Sequence, residues 1–251
     1  MTGRIARLSL SALRMAASDL PDDPAALARW LYRFGTVPRT PAIERDFGPD
    51  DEPMGALGLS TGGAARRILE STYEASTLQG WYSFARGGVP AQLSAACKLY
   101  VSPRPHALPD AFVRIVHAFV QAEVRSFKVG RGVEGLLRPD KIMAYFDERP
   151  QMDAVISRLM HGLNGCPVQG VPFTSDEGGD GLLSSGVDPP FGTAASWRAW
   201  VTAKLAEGLV ARRGQPAAAA LSGTLSDLRS VDVDTARWQS GAGTFRPEGA
   251  T

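Results

Sequence analysis

At 251 residues, with 27 Lys and Arg against 26 Asp and Glu and a formal net charge of +1, the chain carries no broad positive field. That excludes a nucleic-acid-binding face and confines any anion site to a local cluster. The two cysteines, Cys97 and Cys166, lie far apart without paired spacing, so neither a disulfide framework nor structural zinc is expected, the cytoplasm is the expected location, and no run is apolar enough to span a membrane.

The first eighteen residues contain Arg4, Arg7 and Arg14 among Ser and Ala and no acid, the composition of an organellar presequence. Ile5, Leu8, Leu10, Leu13 and Met15 also describe a first helix docked on the body, which is the preferred reading. A second helix is predicted over 24–34, with Trp30 and Leu31 on its apolar side and Asp22 or Asp23 as its cap. Residues 36–58, rich in Pro, Gly and Asp, read as a loop or lid. A third helix is expected over 64–78, followed by Trp81, Tyr82 and Phe84 in an extended piece that packs in a core or at a sheet edge.

From about residue 91 the pattern becomes mixed. Cys97, Leu99 and Val101 alternate with Lys98, Tyr100 and Ser102, so one face of a strand meets a core while Lys98 and Tyr100 share the other. Pro103, Pro105 and Pro109 end it, and Phe112, Ile115, Val116 and Phe119 form the stripe of a helix. His117 falls off that stripe. Phe127 to Arg131 then reads as a strand, with a glycine-bearing turn and a second, antiparallel strand over 141–146. This hairpin sets Lys128, Arg131, Arg138 and Lys141 around a bend, either as a phosphate site or as solvated surface. The strand–helix–strand order predicts a crossover or split βαβ unit.

Met152, Val155, Ile156, Leu159, Met160 and Leu163 predict another helix, with His161 off its stripe. A long irregular segment with many glycines runs from Cys166 to Pro190, the kind that lines or covers a site. After Phe191-Gly192-Thr193, either Thr193 or Ser196 caps a helix bearing Trp197, Trp200, Val201, Leu205 and Leu209. Arg198 stands in its first turns, poor for the helix dipole but suited to an anion. Beyond Arg213 a peripheral helix or two and a disordered tail are expected. The fold class is therefore α+β: a small mixed or antiparallel sheet with packed helices. A helical extension over 1–90 precedes a core over 91–213 and a peripheral segment over 214–251.

Lys98 to Ser102 on one strand, Phe127-Lys128-Val129 on the next, an Arg-led strand from Arg138 to Tyr145, Gly170-Val171-Pro172-Phe173-Thr174, and Phe191-Gly192 ahead of Arg198 together resemble the HopA family of bacterial effector proteins. More distantly they are similar to the phosphothreonine lyases. The resemblance covers roughly 91–213. It extends to stand-alone lyases of ribosomal peptide modification, including class V lanthipeptide and thioamitide pathways, and the Ala-, Arg- and Gly-rich composition suits a high-GC bacterium.

The resemblance implies elimination of phosphate from a phosphorylated Ser or Thr, leaving dehydroalanine or dehydrobutyrine. Lys98 would be the base, made neutral by the cations Lys128 and Arg138. Lys128, Arg138 and Arg198 would grip the phosphate, with Arg131 in a lesser part, each donor contributing roughly 3 to 4 kcal/mol where charge develops. Tyr145 would position substrate or simply fill the core. Where phosphothreonine lyases carry an acid histidine, this chain has Tyr100. His106 is the other candidate, and a clamped phosphate also leaves without an acid. No cofactor and no metal are implied. The implied partners are a phosphorylated precursor peptide, core and leader, with a Ser/Thr kinase and a cyclase of the same pathway. The rival expectations are a non-catalytic phosphopeptide-binding partner and a virulence effector acting on a host phosphoprotein.

Overall fold

The computed structural model describes residues 3–18, 21–48, 54–88, 97–189, 196–242 and 244–245. In chain order its elements are α1 (Arg4–Ser18), α2 (Pro24–Arg33), α3 (Pro41–Phe47), α4 (Ala64–Leu69), β1 (Glu74–Leu78), β2 (Trp81–Ala85), β3 (Cys97–Val101), α5 (Leu108–Gln121) and β4 (Ser126–Gly130). There follow α6 (Gly132–Leu137), β5 (Ile142–Phe146), α7 (Arg149–Gly162), β6 (Ser175–Asp176), β7 (Leu183–Gly186), α8 (Trp197–Ala211), α9 (Ala217–Ser230), β8 (Val233–Asp234) and β9 (Gln239–Ser240).

Seven strands make one antiparallel sheet in the order β1-β2-β4-β5-β3-β7-β6. Strand β5 pairs antiparallel with both β3 and β4, so those two run parallel with β5 inserted between them, which is the split βαβ arrangement. Alternation divides the sheet cleanly. Leu99, Val101, Phe127, Val129, Ile142, Ala144 and Phe146 pack with Phe112, Ile115, Val116 and Phe119 of α5 and with Met152, Val155, Ile156 and Leu159 of α7. Phe127 anchors this core, stacked on Phe84 at 4.7 Å and edge-on to Tyr73 at 5.3 Å. The opposite face holds Lys98, Tyr100, Lys128, Met143 and Tyr145, and Tyr100 and Met143 meet Val171 in a small separate cluster.

Helices α1, α2 and α8 enclose a second core, where Ile5, Leu13, Leu27, Leu31, Trp197, Val201 and Leu205 meet Phe173. Helix α1 docks as expected, through Ile5, Ala12, Leu13 and Ala16, although Met15 stays exposed. Asp23 caps α2 by accepting hydrogen bonds from the Ala25 and Ala26 amides at 3.2 and 2.8 Å. Ser196 caps α8, accepting from the Ala199 amide at 3.4 Å.

Several expected elements differ. The predicted third helix stops at Leu69, and Glu74 to Leu78 form the edge strand β1, held by the register of β2. The expected loop over 36–58 contains α3 and buries Phe47 and Leu57. The expected tight turn after Gly130 is the short helix α6, and Arg138 is its C-cap rather than a strand residue. That helix crosses β4 so closely that a Cβ on Gly130 would collide with the Gly135 carbonyl, which reserves both positions for glycine. Met160 is exposed, and the glycine-rich segment forms the hairpin β6–β7 beside β3. Phe191, Gly192, Thr193 and the expected domain boundary near residue 91 lie outside the described residues.

The peripheral helix expected beyond Arg213 is α9, and the described residues after it form a short hairpin. Helix α9 packs on α8, β8 pairs with β9, and Trp238 is buried edge-on to Phe173 at 5.1 Å. A large aromatic in a core outweighs the weak local stripe that made this segment look peripheral. Replacing Trp238 with alanine is expected to lower unfolding stability by about 3–5 kcal/mol in urea denaturation. An unchanged midpoint would show that the tail does not belong to the second core.

Candidate active site

Register brings the lysines together. Lys98 on β3 stands opposite Tyr145 on β5, and Lys128 on β4 opposite Met143, so all four occupy the face turned away from α5. The Tyr145 ring lies within reach of both amines, 5.3 Å from Lys98 Nζ and 5.6 Å from Lys128 Nζ. Trp81 of β2 closes the group. Its indole is 4.4 Å from Lys128 Nζ and 4.8 Å from the Arg138 guanidinium carbon, cation–π contacts that hold both cations over one apolar surface.

Beneath them lies a buried carboxylate. Asp140, 1% exposed, accepts two parallel bonds from Arg138 at 2.9 Å and one from the Tyr32 hydroxyl at 3.0 Å. Arg198 Nη1 adds an ion pair at 2.8 Å, without hydrogen-bond geometry. Burial would raise the Asp140 carboxyl, but Arg198 and Arg138 and the bonds from Arg138 and Tyr32 hold it down at about 2. Arg198 itself is fully buried. It donates to the Pro172 carbonyl at 3.2 Å and the Tyr32 carbonyl at 2.6 Å, with its plane 4.4 Å from the Tyr32 ring. Its donors therefore serve backbone and Asp140, and α8 positions it as a strut.

Lys98 forms an ion pair with Asp188, whose other oxygen accepts from the Trp197 amide at 3.0 Å at the start of α8. Lys128 is half-buried, and its pKa is lowered to about 8, first by burial and then by the charge of Lys98, Asp140 and Asp188 opposing, with Arg138 lowering it further. Burial and the neighbouring cations thus move Lys128 toward its neutral form. Burial pushes the Tyr100 hydroxyl well above its ordinary value, and Tyr145 rises for the same reason with Asp188, Tyr32 and Asp140 adding to it. Both are neutral donors. For Tyr100 the Arg198 cation pulls the other way, but desolvation of a fully enclosed phenol dominates.

The structure thus gathers Lys98, Tyr100, Lys128, Arg138 and Tyr145, with Arg198 behind them. His106 is not among them. It is exposed on a 3₁₀ turn, Pro105–Ala107, that contacts α3 and α5. Arg131 caps α6 and holds its guanidinium 6.0 Å from the Tyr82 ring, on the edge of the neighbouring cleft. Sequence reasoning missed Tyr32, Asp140 and Asp188 and took Trp81 as packing. The one sequence signal was Asp140 itself, an acid two residues after Arg138.

A neighbouring amine, Lys141, is completely buried and donates to the Pro103 carbonyl at 3.0 Å and Gln169 Oε1 at 2.6 Å. Burial lowers its pKa to about 7, with Asp140 opposing. Gln169 in turn donates to the carbonyls of Gly35 and Leu137 at 2.8 and 2.9 Å, tying α2 and α6 to the sheet below the site.

Four cations, Lys98, Lys128, Arg138 and Arg198, face two carboxylates, Asp140 and Asp188. The excess positive charge suits an anion, and an amine near its own titration point suits proton abstraction.

Two titrations check these electrostatics. The Asp140 carboxyl titrates near 2 in the folded chain and near 4 when unfolded, so its contribution is full above about pH 4 and is lost as pH falls toward 2. Unfolding free energy should drop by roughly 2 kcal/mol more in the wild type than in Asp140→Asn over that range; parallel curves would dissociate Asp140 from the two arginines. For Lys128, carbon-detected NMR of labelled lysine should give a midpoint of about 8, moving upward with added phosphate as a bound anion favours the charged amine. A midpoint at the ordinary value of about 10.4 would contradict its enclosure.

No protein-family model matches the chain, and no curated protein matches it. Among solved structures, the effector protein from Pseudomonas syringae pathovar tomato superposes with a TM-score of 0.59 at 9% identity, over 94% of this chain and 98% of that one. A second effector protein, from Pseudomonas syringae pathovar syringae, superposes with a TM-score of 0.52 at 11% identity, again over 94% and 98%. The phosphothreonine lyase SpvC from Salmonella overlaps more weakly, with a TM-score of 0.36 at 15% identity over 74% and 91%. The chain therefore shares the α+β fold of the Pseudomonas syringae effectors, the group its sequence motifs resemble.

Proposed function

We propose that this chain eliminates phosphate from phosphorylated Ser or Thr in a precursor peptide, as a lyase of ribosomal peptide modification in the cytoplasm. One observation carries the reading: two lysines and Arg138 converge on one sheet face around Tyr145 and Trp81, where burial and the neighbouring cations lower the pKa of Lys128.

In the proposed reaction the neutral Lys128 amine removes the α-proton, and the released electron pair becomes the Cα–Cβ double bond. The Cβ–O bond breaks, and the phosphate leaves with the electron pair of that bond toward Lys98 and Arg138. This exchanges the roles implied by the family resemblance, since Lys98 must first give up Asp188 and is better used as a clamp. Arg138 spends Nε and Nη2 on Asp140 and keeps Nη1 for the phosphate. Tyr145 and Trp81 form the surface on which the substrate backbone rests, with Arg131 at its margin. Tyr100 serves as a neutral donor toward the leaving oxygen, and Arg198 orients Arg138 through Asp140. His106 takes no part. A Ser/Thr kinase would supply the phosphopeptide, bound through core and leader, and a cyclase would consume the dehydrated product.

A second reading rests on the shared effector fold: the same chemistry applied to a folded host phosphoprotein.

The deciding experiment incubates phosphothreonine and phosphoserine peptides with the pure protein and follows loss of phosphoric acid by mass spectrometry. Lys128→Ala should abolish elimination, Lys98→Ala and Arg138→Ala should each slow it by roughly 100-fold or more, and the wild-type kcat/KM should rise with pH to a plateau above about 8, the titration point of Lys128 in the free protein. Intact peptide that binds through Arg138 and survives Lys128→Ala would leave a phosphopeptide-binding module instead. Turnover of a phosphoprotein but of no peptide would favour the effector reading.

A further inference from the structure

Beside the lysine face lies a cavity of about 630 Å³, within the roughly 300–1,000 Å³ common for ligand sites, walled by α2 on one side and α6 on the other. Four arginines line it. Arg29 and Arg33 come from successive turns of α2, and Arg131 and Arg138 stand at the two ends of α6. The i, i+4 spacing sets Arg29 and Arg33 one above the other on one helix face. The acids in the lining are Glu134, which is exposed and stands 3.9 Å from Arg39, and Asp140, already bonded to Arg138 and Tyr32. Arg29 has its nearest carboxylate, Asp23, at 3.9 Å in open solvent.

The cavity is continuous with the lysine face. Arg138 belongs to both, and Gly80 of the cavity wall precedes Trp81 of the lysine face in the chain. A residue seated here would be a near neighbour of one seated between Lys98 and Lys128. Arginines scattered over a surface are ordinarily solvated, but four converging on one concavity with one exposed acid leave a focused positive potential. Planar guanidinium groups bind carboxylates, such as those of Asp and Glu, through paired N–H donors.

Resting on the lyase reading, we infer that this cleft selects peptides carrying Asp or Glu on one flank of the phosphorylated residue, with Arg29 and Arg33 as specificity-determining residues.

Fluorescence anisotropy with labelled phosphothreonine peptides tests this. One peptide carries three Glu on the N-terminal flank, another three Glu on the C-terminal flank, and Gln versions of each serve as references. At low salt the acidic peptide with the favoured flank should bind about tenfold more tightly than its Gln version. The double variant Arg29→Ser/Arg33→Ser should bring that ratio near one without changing affinity for the Gln peptide. Arg114→Ser/Arg158→Ser, in the groove along α5 and α7 behind the sheet, should leave it intact. The inference is overturned by a wild type without preference, by equal preference for both flanks, by a preference that survives the α2 variant, or by one lost equally in the α5/α7 variant. The two readings fail separately. An unphosphorylated acidic peptide held through Arg29 and Arg33 upholds the cleft even where no phosphate is lost, whereas elimination without flank preference removes the cleft and keeps the lyase.

Discussion

The carboxylate of Asp140 is the constraint on which the rest of the site depends. It is buried among Arg138, Arg198 and Tyr32, and an unpaired charge there would be expensive enough to unfold its surroundings. Each partner comes from a different part of the chain: Tyr32 from α2, Arg138 from the end of α6, and Arg198 from the head of α8. Satisfying one carboxylate thus fixes three helices against the start of β5, and Arg198 completes the joint by bonding the carbonyls of Tyr32 and Pro172.

Above this anchor the sheet holds like charges close together. Lys98 and Lys128 both reach Tyr145, and their mutual repulsion, added to burial, brings Lys128 down to about 8. The flat aromatic faces of Trp81 and Tyr145 offset part of this, and Asp188 offsets part for Lys98. Like charges held this close are stabilised by an anion, which supports the proposed phosphate site. The arginine-lined cavity extends the same field along α2 and shares Arg138 with the lysine face.

Local patterns carried a good part of the fold. The alternation Cys97 to Ser102 separated the two faces of β3 and named its core face correctly, and the stripe Phe112 to Phe119 located α5. Failures came where tertiary pairing outweighed propensity. Glu74 to Leu78 continue a helix-like composition but pair with β2, and the glycine-rich segment supplies β7 because β3 offers an unpaired edge. The bend after Gly130 became a helix because two glycines let β4 and α6 touch. Trp238 found a place against Phe173 that no periodicity announces.

The sequence by itself determined which side chains share a face, since a period of two follows from strand geometry alone: Lys98 with Tyr100, and Lys128 away from Phe127 and Val129. It also placed Arg198 near a helix start. What that arginine does, that the pKa of Lys128 is lowered, and that Asp140, Asp188, Tyr32 and Trp81 surround them were decided by tertiary structure. Burial and Coulomb interaction depend on distances between groups far apart in the chain, such as Tyr32 and Asp140, and no local pattern encodes those distances.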